Sequence, residues 1–172
     1  MAILCLFIAG GIVIIDQLLK YMAAQFLPGA GSVTAIPHLL DLVYVENRGA
    51  AFGVLQEQRW IFIVGTALLL AVFLYILFAK KVQDKLFIAS AALIIGGGVG
   101  NLIDRVFLGY VVDYLQLSFF PPVCNFADYC ITIGAVLLVI YILFFSPMAK
   151  EDGKKKSAKK QNARSESGEP GE

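Results

Sequence analysis

Histidine occurs once in this chain, cysteine three times, and Lys, Arg, Asp and Glu together make up only 16% of its 172 residues. Each scarcity excludes something. The single histidine, His38, sits among turn-forming residues, and no serine stands in a GxSxG elbow, so a serine or cysteine nucleophile would lack its usual base. One histidine, with no second His or Cys at ligand spacing, argues against a zinc site and for a structural role. Three cysteines, Cys5, Cys124 and Cys130, make no disulfide framework; Cys124 and Cys130 are open both to pairing and to service as free, small apolar residues. A net charge of +1, with no basic patch beside stacking aromatics, offers nothing to nucleic acid.

What is abundant is apolar. Hydrophobic residues make up 59% of the chain and the mean hydropathy is +0.77, where a soluble domain has about 45–50% apolar residues and about a quarter charged. The chain is therefore an integral membrane protein. Four stretches, 2–26, 60–79, 86–107 and 126–145, are long enough to cross a hydrocarbon core, which takes about 20 helical residues. The first lacks the basic n-region and small-residue cleavage site of a secretory leader and is expected to be a retained anchor.

Lys and Arg set the expected orientation, because cytoplasmic flanks carry the excess. The second and third spans are joined by a link holding Lys80, Lys81 and Lys85, and the tail holds Lys150, Lys154, Lys155, Lys156, Lys159, Lys160 and Arg164. Between 28 and 58 only Arg48 occurs, and 108–124 holds neither Lys nor Arg. Both termini are thus expected in the cytoplasm and both other loops outside. The expected organisation is a four-helix membrane unit over 1–147 and a disordered, Lys-rich cytoplasmic tail over 148–172, low in the apolar residues a packed core requires.

The loop over 28–58 is punctuated by Pro28, Gly29, Gly31 and Pro37, and "HLLDLVYVENRGAAFG" carries a β-rich run at 39–45. A small sheet or cradle resting on the membrane surface is expected there, with Trp60 anchoring the second span at the interface. Asp113 falls in the short loop between the third and fourth spans.

Depth organises the polar residues. At about 1.5 Å of rise per residue, Asp16 and Lys20 lie in the outer half of the first span and Asn101, Asp104 and Arg105 in the outer half of the third. Asn125 and Asp128 open the fourth. Embedded charges are costly unless they pair or face a polar cavity, and they mark function by default. The plainer reading of Asp16 and Lys20, spaced i, i+4, is a helix-end ion pair with Lys20 snorkelling outward. Asp104 and Arg105 are adjacent, so they point to different partners. Gly96 and Gly100 fit a close-packing face between helices; a dinucleotide loop would need a preceding strand and a ribose-binding acid.

Two carboxylates remain for chemistry. Asp113 and Asp128, close together at a low-dielectric boundary, would not both ionise readily; one would keep a proton while the other activated water, a way to hydrolyse amides without metal or cofactor. A proton- or ion-coupled transporter relaying through Asp16, Asp113 and Asp128 is the alternative. It calls for ionisable groups near the midplane and internal repeats, and the sequence has neither. A non-catalytic assembly subunit held by Gly96 and Gly100 would leave the carboxylates unexplained.

Five motifs in order, "DQLLK" at 16–20, "NRGAAF" at 47–52, "GGGVGNLIDR" at 96–105, "VVDY" at 111–114 and "NFAD" at 125–128, resemble those of the bacterial lipoprotein signal peptidases, also called signal peptidase II. The resemblance implies an aspartyl endopeptidase that removes signal peptides from diacylglyceryl-modified prolipoproteins, cutting just before the lipidated cysteine. It implies Asp113 and Asp128 as the catalytic pair. Asn47, Gly49, Asn101, Arg105 and Asn125 match positions that line the site or orient substrate and dyad. Asp16 and Lys20 match the first-helix motif, and Asp104 a supporting residue. It further implies no cofactor, a monomer in contact with membrane lipids, and a multi-pass protein of the bacterial inner membrane with its site at the extracytoplasmic face. An outer loop at 47–52 is expected to cover that site. Three residues depart from the family pattern: Cys124 stands where an aromatic is common, Tyr114 where phenylalanine is common, and Gly98 at a variable place.

Overall fold

The structure is a computed structural model describing residues 1–49, 58–79 and 83–145. The expected tail, Lys80 and Lys81, and the part of the expected lid beyond Gly49 lie outside the described residues. In chain order the elements are helix α1 (Ala2–Phe26), strands β1 (Val33–Ile36) and β2 (Leu40–Asn47), helices α2 (Arg59–Ala79) and α3 (Lys85–Phe107), strands β3 (Val111–Leu117) and β4 (Val123–Cys124), and helix α4 (Phe126–Ile140), which continues as a π-helical turn, Tyr141–Phe145. All four helical segments are long and apolar enough to span a membrane.

The helices differ in how much of themselves they hide. Two thirds of the most apolar stretch of α3, 67%, is buried, against 22%, 17% and 11% for α1, α2 and α4 with its extension, so α3 is the post around which the others stand. Glycine makes this central place possible. A Cβ at Gly96 would come 2.7 Å from Ile12 Cβ of α1, and one at Gly97 would come 2.5 Å from the Ala127 carbonyl oxygen of α4. Small residues let helix backbones approach where lipid tails supply no hydrophobic drive between helices. From the other side Gly134 of α4 meets α3, whose Ser90 hydroxyl donates to the Gly134 carbonyl at 2.9 Å. Large apolar side chains on the remaining flanks, such as Phe7, Leu18, Leu68 and Val136, are exposed, as suits contact with lipid.

Asp84 starts α3 by accepting from the backbone N–H groups of Leu86 and Phe87 at 2.9 and 3.3 Å. This satisfies donors that a helix end leaves free and places the start one residue ahead of the sequence expectation. Asn125 does the same for α4, in a reciprocal box with Asp128.

The four strands form one antiparallel sheet in the order β1-β2-β3-β4 at the end of the bundle where α1 finishes and α4 begins. The expected strand at 39–45 is present as β2, lengthened to Asn47. His38 turns the chain from β1 into β2 with φ 61, a conformation uncommon outside glycine but tolerated by histidine. Strand β3 corrects the sequence reading: Asp113 lies on a strand and not in a loop. A charged residue interrupting a short apolar run reads as a turn, whereas pairing with β2, with Val45 opposite Asp113 and Asn47 opposite Val111, holds it extended. Side chains alternate across a strand. Val112 and Tyr114 pack on Ala23 and Leu27 at the end of α1, leaving Asp113 on the other face.

Candidate active site

Asn125 joins the two carboxylates expected from the sequence. Its side-chain amide donates to Asp113 Oδ1 at 2.6 Å, and its backbone N–H donates to Asp128 Oδ2 at 3.1 Å. Its side-chain Oδ1 accepts from the Asp128 N–H at 3.0 Å, so one fully buried residue caps α4 and ties both acids together. Each acid has a second donor. Asn47, at the end of β2, donates to Asp113 Oδ2 at 2.8 Å, and Asn101 of α3 donates to Asp128 Oδ1 at 2.8 Å. Gly49 N–H in turn donates to Asn47 Oδ1 at 3.0 Å and fixes which way that amide faces.

The environments of the two acids differ. Asp113 is 1% exposed, whereas Asp128 is half-buried. Burial first, and then the negative charge of Asp128, push the Asp113 carboxyl up to about 6, against the pull of the hydrogen bonds from Asn47 and Asn125. Burial and the same two carboxylates push the Cys124 thiol up to about 11. It is thus a neutral neighbour of the acids and not a nucleophile, which acts as thiolate. Cys124 and Cys130 are both free.

Behind the pair lies a second, wholly buried cluster. Lys20 Nζ pairs with Asp16 Oδ2 at 2.9 Å and Asp104 Oδ2 at 3.0 Å, and donates to Asn101 Oδ1 at 2.8 Å. At 3% exposure it does not snorkel; the helix-end reading of the Asp16–Lys20 pair gives way because two further acceptors on α3 hold the ammonium inside. Asp104 and Arg105 do part company: Asp104 turns into this cluster, while the Arg105 guanidinium lies 4.9 Å from the centre of the Phe62 ring and donates to the Asn101 carbonyl at 3.4 Å. Sequence reasoning passed over Gln17. Its amide donates to Asp104 Oδ1 at 3.0 Å, to the Gly100 carbonyl at 3.2 Å and to Asp16 Oδ2 at 3.3 Å. The available signal was its place beside Asp16, inside a span where polar residues are rare.

Two neighbouring carboxylates, one far more buried and raised toward neutrality, suit a pair that shares one proton: one member accepts from water while the other donates. Among the described residues no group of three His, Cys, Asp or Glu side chains is placed to hold a metal ion.

Comparison with known proteins gives a consistent picture. A family model described as signal peptidase (SPase) II matches residues 8–144. A lipoprotein signal peptidase of Caldanaerobacter subterraneus subsp. tengcongensis is 47% identical over 133 residues, covering 77% of this chain and 91% of that protein. One of Clostridioides difficile is 45% identical over 140 residues, covering 79% and 92%. Among solved structures, one described as a bacterial membrane enzyme, determined by the in meso method at 2.3 Å resolution, superimposes with a TM-score of 0.76 at 33% identity, covering 81% of this chain and 87% of its own.

Proposed function

The chain belongs to the signal peptidase II family, and from that premise we propose that Asp113 and Asp128 are its catalytic dyad. The protein is a multi-pass membrane hydrolase that removes signal peptides from prolipoproteins. In the proposed reaction one aspartate takes a proton from a water molecule as its oxygen attacks the scissile carbonyl carbon, and the other gives its proton to the carbonyl oxygen. The tetrahedral intermediate then collapses. The carbon–nitrogen bond breaks, the departing amine takes the proton held by the first aspartate, and the second recovers its own from the intermediate's hydroxyl. Asn47, Gly49, Asn101 and Asn125 orient the two acids; Arg105 supports the end of α3 next to them.

The observation that carries this reading is Asn125, one buried side chain bound to Asp113 and, through its backbone, to Asp128. The test is cleavage of a diacylglyceryl-modified prolipoprotein by purified protein. Asp113→Asn and Asp128→Asn, each confirmed to be folded, are expected to lose at least about a thousandfold in kcat, within the range carried by an acid–base group. Normal cleavage by either would remove the dyad.

Placement belongs to the same proposal. The sheet end of the bundle holds the site and faces the extracytoplasmic side of the bacterial inner membrane, both termini are cytoplasmic, and the enzyme works as a monomer with the substrate's diacylglyceryl chains among the surrounding lipids. A transporter would string its ionisable groups through the midplane; here they gather around the N-terminus of α4 and the end of α3, and the family is one of peptidases.

A further inference from the structure

We propose that Lys20 sets the spacing of the dyad, acting as a positioning residue through three arms that each end on a dyad member or on the residue directly before one. This rests on the dyad reading above. The first arm is Asp16, whose Oδ2 meets Lys20 at 2.9 Å while its Oδ1 accepts from the Ala127 N–H at 3.1 Å, one residue before Asp128. The second is Asp104, whose Oδ2 meets Lys20 at 3.0 Å and accepts from the Val112 N–H at 3.1 Å, one residue before Asp113. The third is Asn101, which accepts from Lys20 at 2.8 Å and donates to Asp128 at 2.8 Å. An ammonium group has three protons to donate, and all three are used.

The pairing of β3 with β4, Leu115 opposite Cys124, brings the start of α4 beside β3, and the Lys20 cluster adds the seat of that pair against the helices. The cluster clamps both to α1 and α3. It is complete: Gln17 serves Asp104 Oδ1, so every oxygen of the two carboxylates has a partner. Gly100 is the seat for it, since any Cβ there would strike the Asp16 carboxylate. A buried ion cluster is a poor way to gain stability, because desolvation offsets much of the attraction. A reason to keep this one is geometry, since a misplacement of about 1 Å can cost about a hundredfold in rate.

The two carboxylates differ in a way that makes the proposal testable. At Asp104 one oxygen serves both Lys20 and Val112, so an amide oxygen in that place can still serve both, while its NH2 meets Gln17, a side-chain amide that can turn its own oxygen to accept, unlike a backbone N–H or an ammonium. At Asp16 the oxygens are divided between Lys20 and Ala127, so an amide must turn its NH2 toward one of those donors. Both changes remove one charge from the same cluster. The experiment is steady-state cleavage of a diacylglyceryl-modified prolipoprotein by the full chain in detergent, with thermal unfolding recorded for each variant. Asp104→Asn is expected to stay within about tenfold of the unaltered kcat. Asp16→Asn and Asp104→Leu are expected to fall about a hundredfold in kcat with KM within about threefold, the cost of a misplacement near 1 Å. Equal losses in Asp104→Asn and Asp16→Asn, or a loss confined to KM, would overturn the positioning role. Should Asp104→Leu not fold, the comparison of the two amides decides alone. Failure here with Asp113→Asn and Asp128→Asn still inactive refutes the clamp and leaves the dyad standing, whereas active dyad variants refute the dyad first.

Discussion

Asp113 shows how a single residue's setting suits it to the role proposed for it. Its carboxyl lies near 6 because burial disfavours its charge and Asp128 repels it, in that order. Replacing Asp128 by asparagine removes the second cause and leaves the first. In Asp128→Asn the Asp113 midpoint is therefore expected to fall below about 6 and to remain above the ordinary 3.8, read as the protonated-carboxyl infrared band across a pH titration. An unchanged midpoint would mean that the two acids do not sense one another. The sign for stability follows from the same shift. Between 3.8 and about 6 the folded state keeps a proton that the unfolded chain has released, so this group's contribution to stability declines as pH rises through that window. The sequence displayed both aspartates, since charges at the edge of apolar spans are rare and visible. It could not display what holds them: the Ala127 N–H finds its acceptor in Asp16, 111 residues away, and no local pattern encodes such a contact.

At the scale of elements, α3 is where glycine decides between tolerance and failure. A Cβ at Gly97 would meet the Ala127 carbonyl oxygen at 2.5 Å, and that backbone belongs to the turn carrying Asp128. Gly97→Ala is thus expected to push α4 away, destabilising the protein by about 1–3 kcal/mol as overpacking does, with a larger loss in cleavage. A Cβ at Gly98 would meet the tip of the Leu70 side chain at 3.3 Å and the Thr66 methyl at 3.6 Å, and no backbone. Gly98→Ala is expected to keep activity and to gain up to about 1 kcal/mol from helix propensity. Thermal unfolding and kcat for the two alanine variants check both statements, and equal behaviour would refute them. The helices were legible because length and unbroken hydropathy decide them locally, and their ends, with the π-helical turn counted into the fourth span, fell within one residue of expectation. Strand β2 was legible from its β-rich composition. Strands β1, β3 and β4 were not: β1 and β4 are very short, and β3 exists by virtue of β2, whose partner residues lie far off in the sequence, as Val45 opposite Asp113 and Asn47 opposite Val111.

For the molecule as a whole, alternation of four spanning helices gathers the ends of α1 and α3 and the starts of α2 and α4 at the sheet, and the link at Lys85 with the end of α4 at the opposite pole. The sheet pole is held together by buried or part-buried polar groups, whereas in the sequence lysines follow α2 and α4 in the link and tail. The proposed orientation, set by flanking Lys and Arg, would put the proposed dyad, the clamp and the sheet on the extracytoplasmic side, where exported prolipoproteins arrive. A cysteine scan separates the two orientations. In a Cys124→Ala background, Cys5 and Cys130 are buried and leave little thiol to label. Thr34→Cys, on an exposed strand of the sheet, is expected to react with a membrane-impermeant maleimide added to spheroplasts. Gln83→Cys, in the link before α3, is expected to react only after inversion or permeabilisation. The reverse pattern would put the dyad in the cytoplasm and overturn the placement while leaving the chemistry of Asp113 and Asp128 untouched, since nothing in their hydrogen bonds refers to which side of the membrane they face.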